Sequence, residues 1–335
     1  MNRERDSMIS RRSVLCCAAG IGVVAVVTAD PVESLISDRK RKDGQVTVPV
    51  TVLGLDAVGS AIAGAFAALG HQVSVWDENS AAEPPRGVER AETVEAAMRA
   101  GQLIVMSVPN YDSIRRLLNG VGEQRPGVCL IDIVSGTSTD AEEAAALAEQ
   151  RGLDYLNAAV LVSPGEFENA ATRAEALILY SGGSESTYRA HESTLSALAG
   201  RSRYLGPDPA IASVYNLALL NMMWGTLNGY LYSQSLLESA GVNAAEFIPL
   251  ATGWISALSH VIEDFAADID TGTFPPTHGE VFFHLNSIEH VLQEGHRRGI
   301  EPSLPAHFHR LAVAAMDSGR SDDGYASLIE QFRAQ

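Results

Sequence analysis

The sequence predicts an α/β protein: a doubly wound, mostly parallel sheet, then a long interdomain helix, then an all-helical C-terminal domain. Three observations predict it. Short β-branched runs alternate with helical stretches between Val46 and Leu205, the pattern of repeated βαβ units. A glycine turn at Gly54–Gly59 joins the first strand to the first helix. Apolar residues then run almost unbroken from Ile211 to Ala240, far too long for a strand.

Val46 to Leu53 is rich in β-branched residues and reads as a buried strand. Val58 to Leu69 is an alanine-rich helix stopped by Gly70. Gln72 to Trp76 is a second buried strand, ending at Asp77. Strand, glycine turn, helix, strand and acid form the opening unit of a Rossmann-type dinucleotide-binding sheet. The fingerprint is Gly-x-Gly-x-x-Gly, whereas this chain has Gly54-Leu55-Asp56-Ala57-Val58-Gly59. The middle glycine normally lets the backbone approach a pyrophosphate, and Asp56 puts a negative side chain there. Two unit charges about 4 Å apart at an effective dielectric of about 20 repel by about 4 kcal/mol. The expectation is therefore weakened cofactor binding unless Asp56 points away or is neutralised.

Further strands are expected at Leu103–Val108, Val128–Val134, Asp154–Val160, Ala176–Tyr180 and Arg203–Leu205. Helices are expected at Tyr111–Leu118 and Thr139–Gln150. Ligands of such sheets bind at the carboxyl ends of strands. Those ends are Gly54–Gly59, Asp77–Ser80, Ser107–Tyr111 and Ser135–Thr137. At Asp208-Pro209 a cap and a first-turn proline open the long helix, about 45 Å in length at helical rise. It is apolar nearly all round, so a partner subunit is its natural cover. Asn216, Asn221, Asn228, Gln234 and Glu238 interrupt the run, against a membrane span in the mature protein. The domains read as 46–207 for the dinucleotide-binding part, 208–240 for the interdomain helix and 241–335 for the helical domain.

Residues 1–45 read as a leader and linker. Ser10-Arg11-Arg12-Ser13-Val14-Leu15 is a twin-arginine pattern, followed by a short apolar run and Val27-Thr28-Ala29 as a cleavage site. Export through that leader is the expectation, and a cytoplasmic protein with a tail is the alternative. Residues 1–42 carry a net charge of +3 and the remainder −20, which excludes nucleic-acid binding through a basic patch. The only lysines are Lys40 and Lys42, so no Schiff-base chemistry is available to the folded body. Cys129 lies in an apolar run and reads as an inert strand residue. His278, His284, His290 and His296 recur every six residues, which does not align them on one helical face, and no metal site is predicted.

Several stretches together resemble the imine reductases, a branch of the β-hydroxyacid dehydrogenase superfamily. They are Val50–Trp76, Ser135-Gly136-Thr137, Ala176–Gly182, Tyr204-Leu205-Gly206, Tyr215–Leu220, Trp224–Leu227 and Ser321–Gly324. The resemblance implies hydride transfer from NADPH or NADH to the C=N bond of a small cyclic imine or iminium. It also implies a domain-swapped homodimer with each site between one sheet and the partner's helical domain. The implied cofactor contacts are Gly54, Leu55, Asp56, Ala57, Val58, Gly59, Asp77, Glu78, Asn79, Val108, Pro109, Ser135 and Thr137. Leu220, Met223, Trp224, Trp254 and Phe274 are the candidates for a substrate pocket, with core packing as the alternative for the aromatics.

Two departures from the family pattern matter. The long-helix position that usually carries an Asp or Tyr proton donor is Asn216, an amide that orients a substrate but is no general acid. The family's arginine for the 2′-phosphate of NADPH is absent after the second strand, where the chain reads Asp77-Glu78-Asn79-Ser80. Asp77 suits the ribose hydroxyls of NAD and Glu78 repels a 2′-phosphate, so NADH is the expected better fit. The alternative function is a pseudo-oxidoreductase that has lost its cofactor and works as a cofactor-free cyclase, an isomerase or a binding protein.

Overall fold

A computed structural model describes residues 47–161 and 176–333. The expected leader and linker lie outside the described residues. Eight strands form one sheet in the order β3-β2-β1-β4-β5-β6-β7-β8. They are β1 (Val50–Leu53), β2 (Val73–Trp76), β3 (Glu89–Arg90), β4 (Leu103–Met106), β5 (Cys129–Asp132), β6 (Asp154–Leu161), β7 (Leu177–Ser181) and β8 (Arg201–Tyr204). Every pair is parallel except β6 with β7. The chain winds outward from β1 to β3, then returns to lay β4 on the other side of β1. That reversal places a crevice beyond Leu53, whose register partners are Trp76 in β2 and Met106 in β4.

Helices α1 (Ala57–Ala68), α2 (Val94–Ala100), α3 (Tyr111–Gly120), α4 (Ser138–Gln150) and α5 (Glu185–Leu195) connect the strands. α1 buries Ile62, Ala63 and Phe66 with Val50, Val52 and Val75 of the sheet. On the other face, Leu53, Ile104 and Leu130 pack with Ile114 and Leu118 of α3 and Ala144 of α4. Three elements escape the sequence reading. β3 is two residues long. α2 is short and set up by its cap, the Thr93 hydroxyl, which accepts the Ala96 amide. α5 shows the sheet only a narrow stripe of Tyr188, His191 and Leu195.

The chain divides into two compact units within α6 (Ala210–Glu238), between Met223 and Trp224. In the second unit, α7 (Ala244–Thr271) is capped by Asn243 and stopped by Gly272 in the left-handed conformation. α8 (Val281–Arg298), α9 (Ser303–Asp317) and a 3-10 turn at Tyr325–Gln331 follow. Their shared core is Val281, Leu285, Ala312, Ala315 and Leu328. α6 and α7 are long and apolar enough to cross a membrane by length and composition. In the single chain they leave large side chains exposed, among them Leu250 at 71% and Trp254 at 52%.

Candidate active site

The glycine turn is built for close contact with the neighbouring strand. Gly54 has φ +102°, and a Cβ there would lie 1.8 Å from the Ser107 carbonyl oxygen. A Cβ on Gly59 would lie 2.2 Å from the Gly54 carbonyl oxygen. The first and third fingerprint glycines thus keep their packing roles. Asp56 takes a different one, as the N-cap of α1. Its Oδ1 accepts the Gly59 amide at 2.7 Å and the Ser107 hydroxyl at 2.8 Å. Aspartate is among the best N-caps because an acceptor is what a helix start lacks. With Gly59 supplied, Ala57 and Val58 are the first-turn amides that the helix cannot satisfy within itself.

Beyond β2, Asp77 organises the loop that would face a ribose. Its Oδ2 accepts the Leu55 amide at 2.5 Å and its Oδ1 the Asn79 amide at 2.7 Å. Arg90 reaches back from β3 to the carbonyl oxygens of Ala82, Asp77 and Asn79. Glu78 forms an ion pair with Arg116 of α3 at 3.2 Å. These groups surround a cleft of about 400 Å³ lined by Gly54, Asp56, Asp77, Glu78, Asn79, Val108, Pro109 and Arg116, with Trp76, Ser107, Ser113 and Leu117 completing it.

A second cluster lies past β5. Asp132 ends that strand with no exposure to solvent, accepting the Tyr155 hydroxyl at 2.7 Å and the Val134 amide at 2.9 Å. Burial pushes its carboxyl up to about 6, against the pull of those two hydrogen bonds. Burial likewise raises the Tyr155 and Tyr111 phenols, helped by the Asp132 charge. The loop that follows is held at three points. Val134 is tied to Asp132. Gly136 packs on the Tyr111 ring, where a Cβ would come within 2.3 Å. Thr137 forms a capping box with Asp140 at the start of α4. Ser135 is presented from this loop. The Asn216 amide nitrogen lies 3.5 Å from the Ser135 hydroxyl oxygen. The start of α6 is itself pinned, since Asn157 donates to the Pro209 carbonyl and the Ser213 hydroxyl, and Ala212 donates to Ser181.

The structure therefore gathers most of the predicted residues at the strand ends, in two groups. Gly54, Asp56, Asp77, Glu78, Asn79, Val108 and Pro109 line the cleft, with Leu55, Ala57, Val58 and Gly59 forming its turn and helix start. Ser135, Thr137 and Asn216 belong to the β5 loop and α6. None of the five pocket candidates lines the cleft. Leu220 and Met223 fall in the first unit, while Trp224, Trp254 and Phe274 fall in the second. Phe274 carries the Arg320 guanidinium 5.5 Å from its ring centroid. The free-carboxylate picture of Asp56 needs correction, because its Oδ1 is committed to two donors. Glu78 is paired with Arg116, a cation that the sequence expectation of repulsion at Glu78 did not include. Sequence reasoning missed Arg116, which lies 38 residues from its partner. It also missed Asp132, whose signal was an acid inside a fully apolar run.

A Rossmann-type sheet with a ligand cleft at its switch point, followed by a long helix and a helical domain, defines a two-domain dinucleotide-dependent oxidoreductase. Residues 49–206 match the model for the NAD binding domain of 6-phosphogluconate dehydrogenase, and residues 208–334 match the NADPH-dependent reductive aminase-like C-terminal domain. The chain is 27% identical to an NADPH-dependent reductive aminase of Aspergillus oryzae, over 85% of this chain and 97% of that one. A reductive aminase from Aspergillus terreus, solved with NADPH4, cyclohexanone and allyl amine, is 30% identical. Its TM-score is 0.77, with 86% of this chain and 100% of that one covered. A variant imine reductase from Myxococcus stipitatus, solved with NAD+, has a TM-score of 0.79 at 27% identity, covering 86% and 100%. The chain belongs to the imine reductase and reductive aminase family.

Proposed function

We propose that this protein reduces the C=N bond of a small imine or iminium with a nicotinamide dinucleotide. The observation that carries the reading is the Ser135–Asn216 contact at 3.5 Å, beside a fingerprint turn that retains two amides for a ligand. The family's relatives were solved with NADPH4 and NAD+, and the donor set here fits such a cofactor. Ala57 and Val58 at the start of α1 would hold the pyrophosphate through their amides and the helix dipole. The loop fixed by Asp77 would receive the ribose. When bound, the dinucleotide supplies the hydride.

The chain's own task is then to orient the substrate nitrogen and manage its proton. The Asn216 carboxamide, whose nitrogen faces Ser135, would accept the iminium N–H through its oxygen and fix the face presented to the cofactor. Asn216 does not donate a proton as an acid. Tyr111 and Tyr155, with phenol pKa values raised by burial, hold their protons too tightly to replace it. The substrate in this proposal arrives already protonated, as an iminium whose N–H the Asn216 oxygen can accept. The absence of lysine from residues 47–335 separates the site from the hydroxyacid branch, which uses a lysine on the long helix. The protein is proposed to work as a homodimer, because α6 and α7 expose extended apolar surface in the single chain.

The test follows the nicotinamide absorbance: its loss from NADH and NADPH with a panel of cyclic iminium ions, and its gain from NAD+ and NADP+ with 3-hydroxy acids. Turnover of the iminium ions alone is expected. Oxidation of a hydroxy acid with no iminium reduction overturns the assignment.

A further inference from the structure

The proposed function leaves open how this site reads the 2′ position of the cofactor's adenosine ribose, since the loop after β2 offers no arginine. The wall of the cleft does. Among the residues lining it, Arg116 is the one cation. α3 begins at Asn110, whose side chain accepts from both the amide and the hydroxyl of Ser113. Tyr111, Ile114 and Leu118 are buried on the inner face, which turns Arg116 outward along the rim. Its Nη2 lies 3.2 Å from the Ser113 hydroxyl and 3.2 Å from Glu78 Oε2. Glu78 directly follows Asp77 in the loop that would receive the ribose, and it lines the same cleft as Arg116. Arg90, the other basic residue near this loop, bonds three backbone carbonyls and holds the loop's shape.

We propose that Arg116 is the group that recognises the 2′-phosphate of NADPH, and that Glu78 is an internal carboxylate occupying the phosphate's place until NADPH binds. This rests on the reading of the site as a nicotinamide dinucleotide site. The pair is exposed on both sides, 61% for Arg116 and 75% for Glu78, so it is weakly held and easily exchanged. A phosphate monoester carries nearly twice the charge of a carboxylate and accepts from the guanidinium fork through two oxygens. It therefore displaces Glu78 from Arg116. The displaced carboxylate stays close enough to repel the phosphate, which offsets part of the gain. With NADH the Glu78–Arg116 pair persists. The outcome is a site that takes both cofactors with affinities within about tenfold of each other, set by two residues on different elements.

Isothermal titration of the full chain with NADPH, NADH, 2′,5′-ADP and 5′-AMP tests the proposal without turnover. Arg116→Ala is expected to weaken NADPH and 2′,5′-ADP by about tenfold or more relative to NADH and 5′-AMP. Glu78→Gln is expected to tighten the phosphorylated pair by about tenfold relative to the other two. Both effects shrink at high salt. Equal weakening of all four ligands by Arg116→Ala overturns the proposal, as does a Glu78→Gln variant with an unchanged NADPH to NADH ratio. Binding of 5′-AMP and NADH with no Arg116 dependence of the phosphorylated ligands sinks this assignment but leaves the oxidoreductase reading standing. Failure of all four ligands to bind the unaltered chain sinks both. Both side chains are exposed, so unchanged thermal melts are expected for the two variants.

Discussion

Replacing Asp56 by glycine restores the fingerprint, and the structure predicts two opposing consequences. The first is a loss of stability. Glycine is itself a tolerable N-cap, so the loss of the cap alone costs only a few tenths of a kcal/mol. Ser107 decides the larger part. It is buried, and its hydroxyl donates to Asp56 Oδ1 at 2.8 Å. Leaving that hydroxyl without its acceptor costs about 1–2 kcal/mol. A fall in Tm of about 2–8 °C follows for a domain of this size. The second consequence is tighter cofactor binding. A desolvated carboxylate beside the pyrophosphate would oppose binding by about 4 kcal/mol, or about a thousandfold in affinity. Asp56 is exposed to water and its Oδ1 is turned to the helix start, so screening reduces the effect to about 1 kcal/mol. Asp56→Gly should therefore tighten NADH by about fivefold. Fluorescence titration with NADH, paired with thermal melts, reads both quantities. Tightening by a hundredfold or more would show a dry carboxylate facing the phosphates. An unchanged Tm would show that the Ser107 and Gly59 bonds contribute nothing.

Three further outcomes are expected. Asn216→Asp places a carboxylate beside Ser135 that favours a bound iminium cation, so the fall in activity that the native protein shows as its substrate deprotonates should move to higher pH by about one unit; identical pH profiles would refute the positioning role of Asn216. Asp132 has a folded pKa of about 6, above an unfolded value of about 3.9, so the fold holds this proton more tightly than the unfolded chain does. Its contribution is complete below pH 4 and is lost as pH rises through 6, by at most about 3 kcal/mol; urea unfolding at pH 4.5 and 7.5 should show that loss as the difference between the native protein and Asp132→Asn, over the opposite slope from His71, His191 and His284, whose imidazoles burial holds low, and parallel behaviour of the two would count against it. Light scattering at micromolar concentration should give a dimer, since covering the apolar faces of α6 and α7 needs an interface above about 2,000 Å², and a monodisperse monomer would end that proposal.

The fold was legible because each unit of the sheet announces itself locally. Buried parallel strands are continuous apolar runs, and the packing glycines at Gly54 and Gly59 mark where strand, turn and helix meet. The site was legible only where function sits next to its signal in the chain. The Asp77 loop follows β2 directly and could be placed. Arg116 could not, because it meets Glu78 only where α3 and the end of β2 line the same cleft, across 38 residues of chain. The Asp132–Tyr155 bond depends on the β5–β6 register, in which Asp132 faces Asn157 and Tyr155 sits one diagonal away. No single stretch carries that pairing.

Asp56 is the instructive case, since its meaning changes with the rule applied to it. Judged only as a lost fingerprint glycine, it is a charge in the ligand's way. Judged as the residue before a helix, it is one of the best choices available. Both rules concern the same orphan amides at the start of α1. In a glycine version the bound pyrophosphate satisfies them. Here Asp56 satisfies one of them, Gly59, from within the protein, and ties the turn to β4 through Ser107. The substitution removes one donor from the ligand's share and leaves Ala57 and Val58. That is a weaker, more rigid cradle. It separates two properties the glycine fingerprint usually joins, the stability of the empty turn and its affinity for phosphate, so a variant at Asp56 can move them in opposite directions.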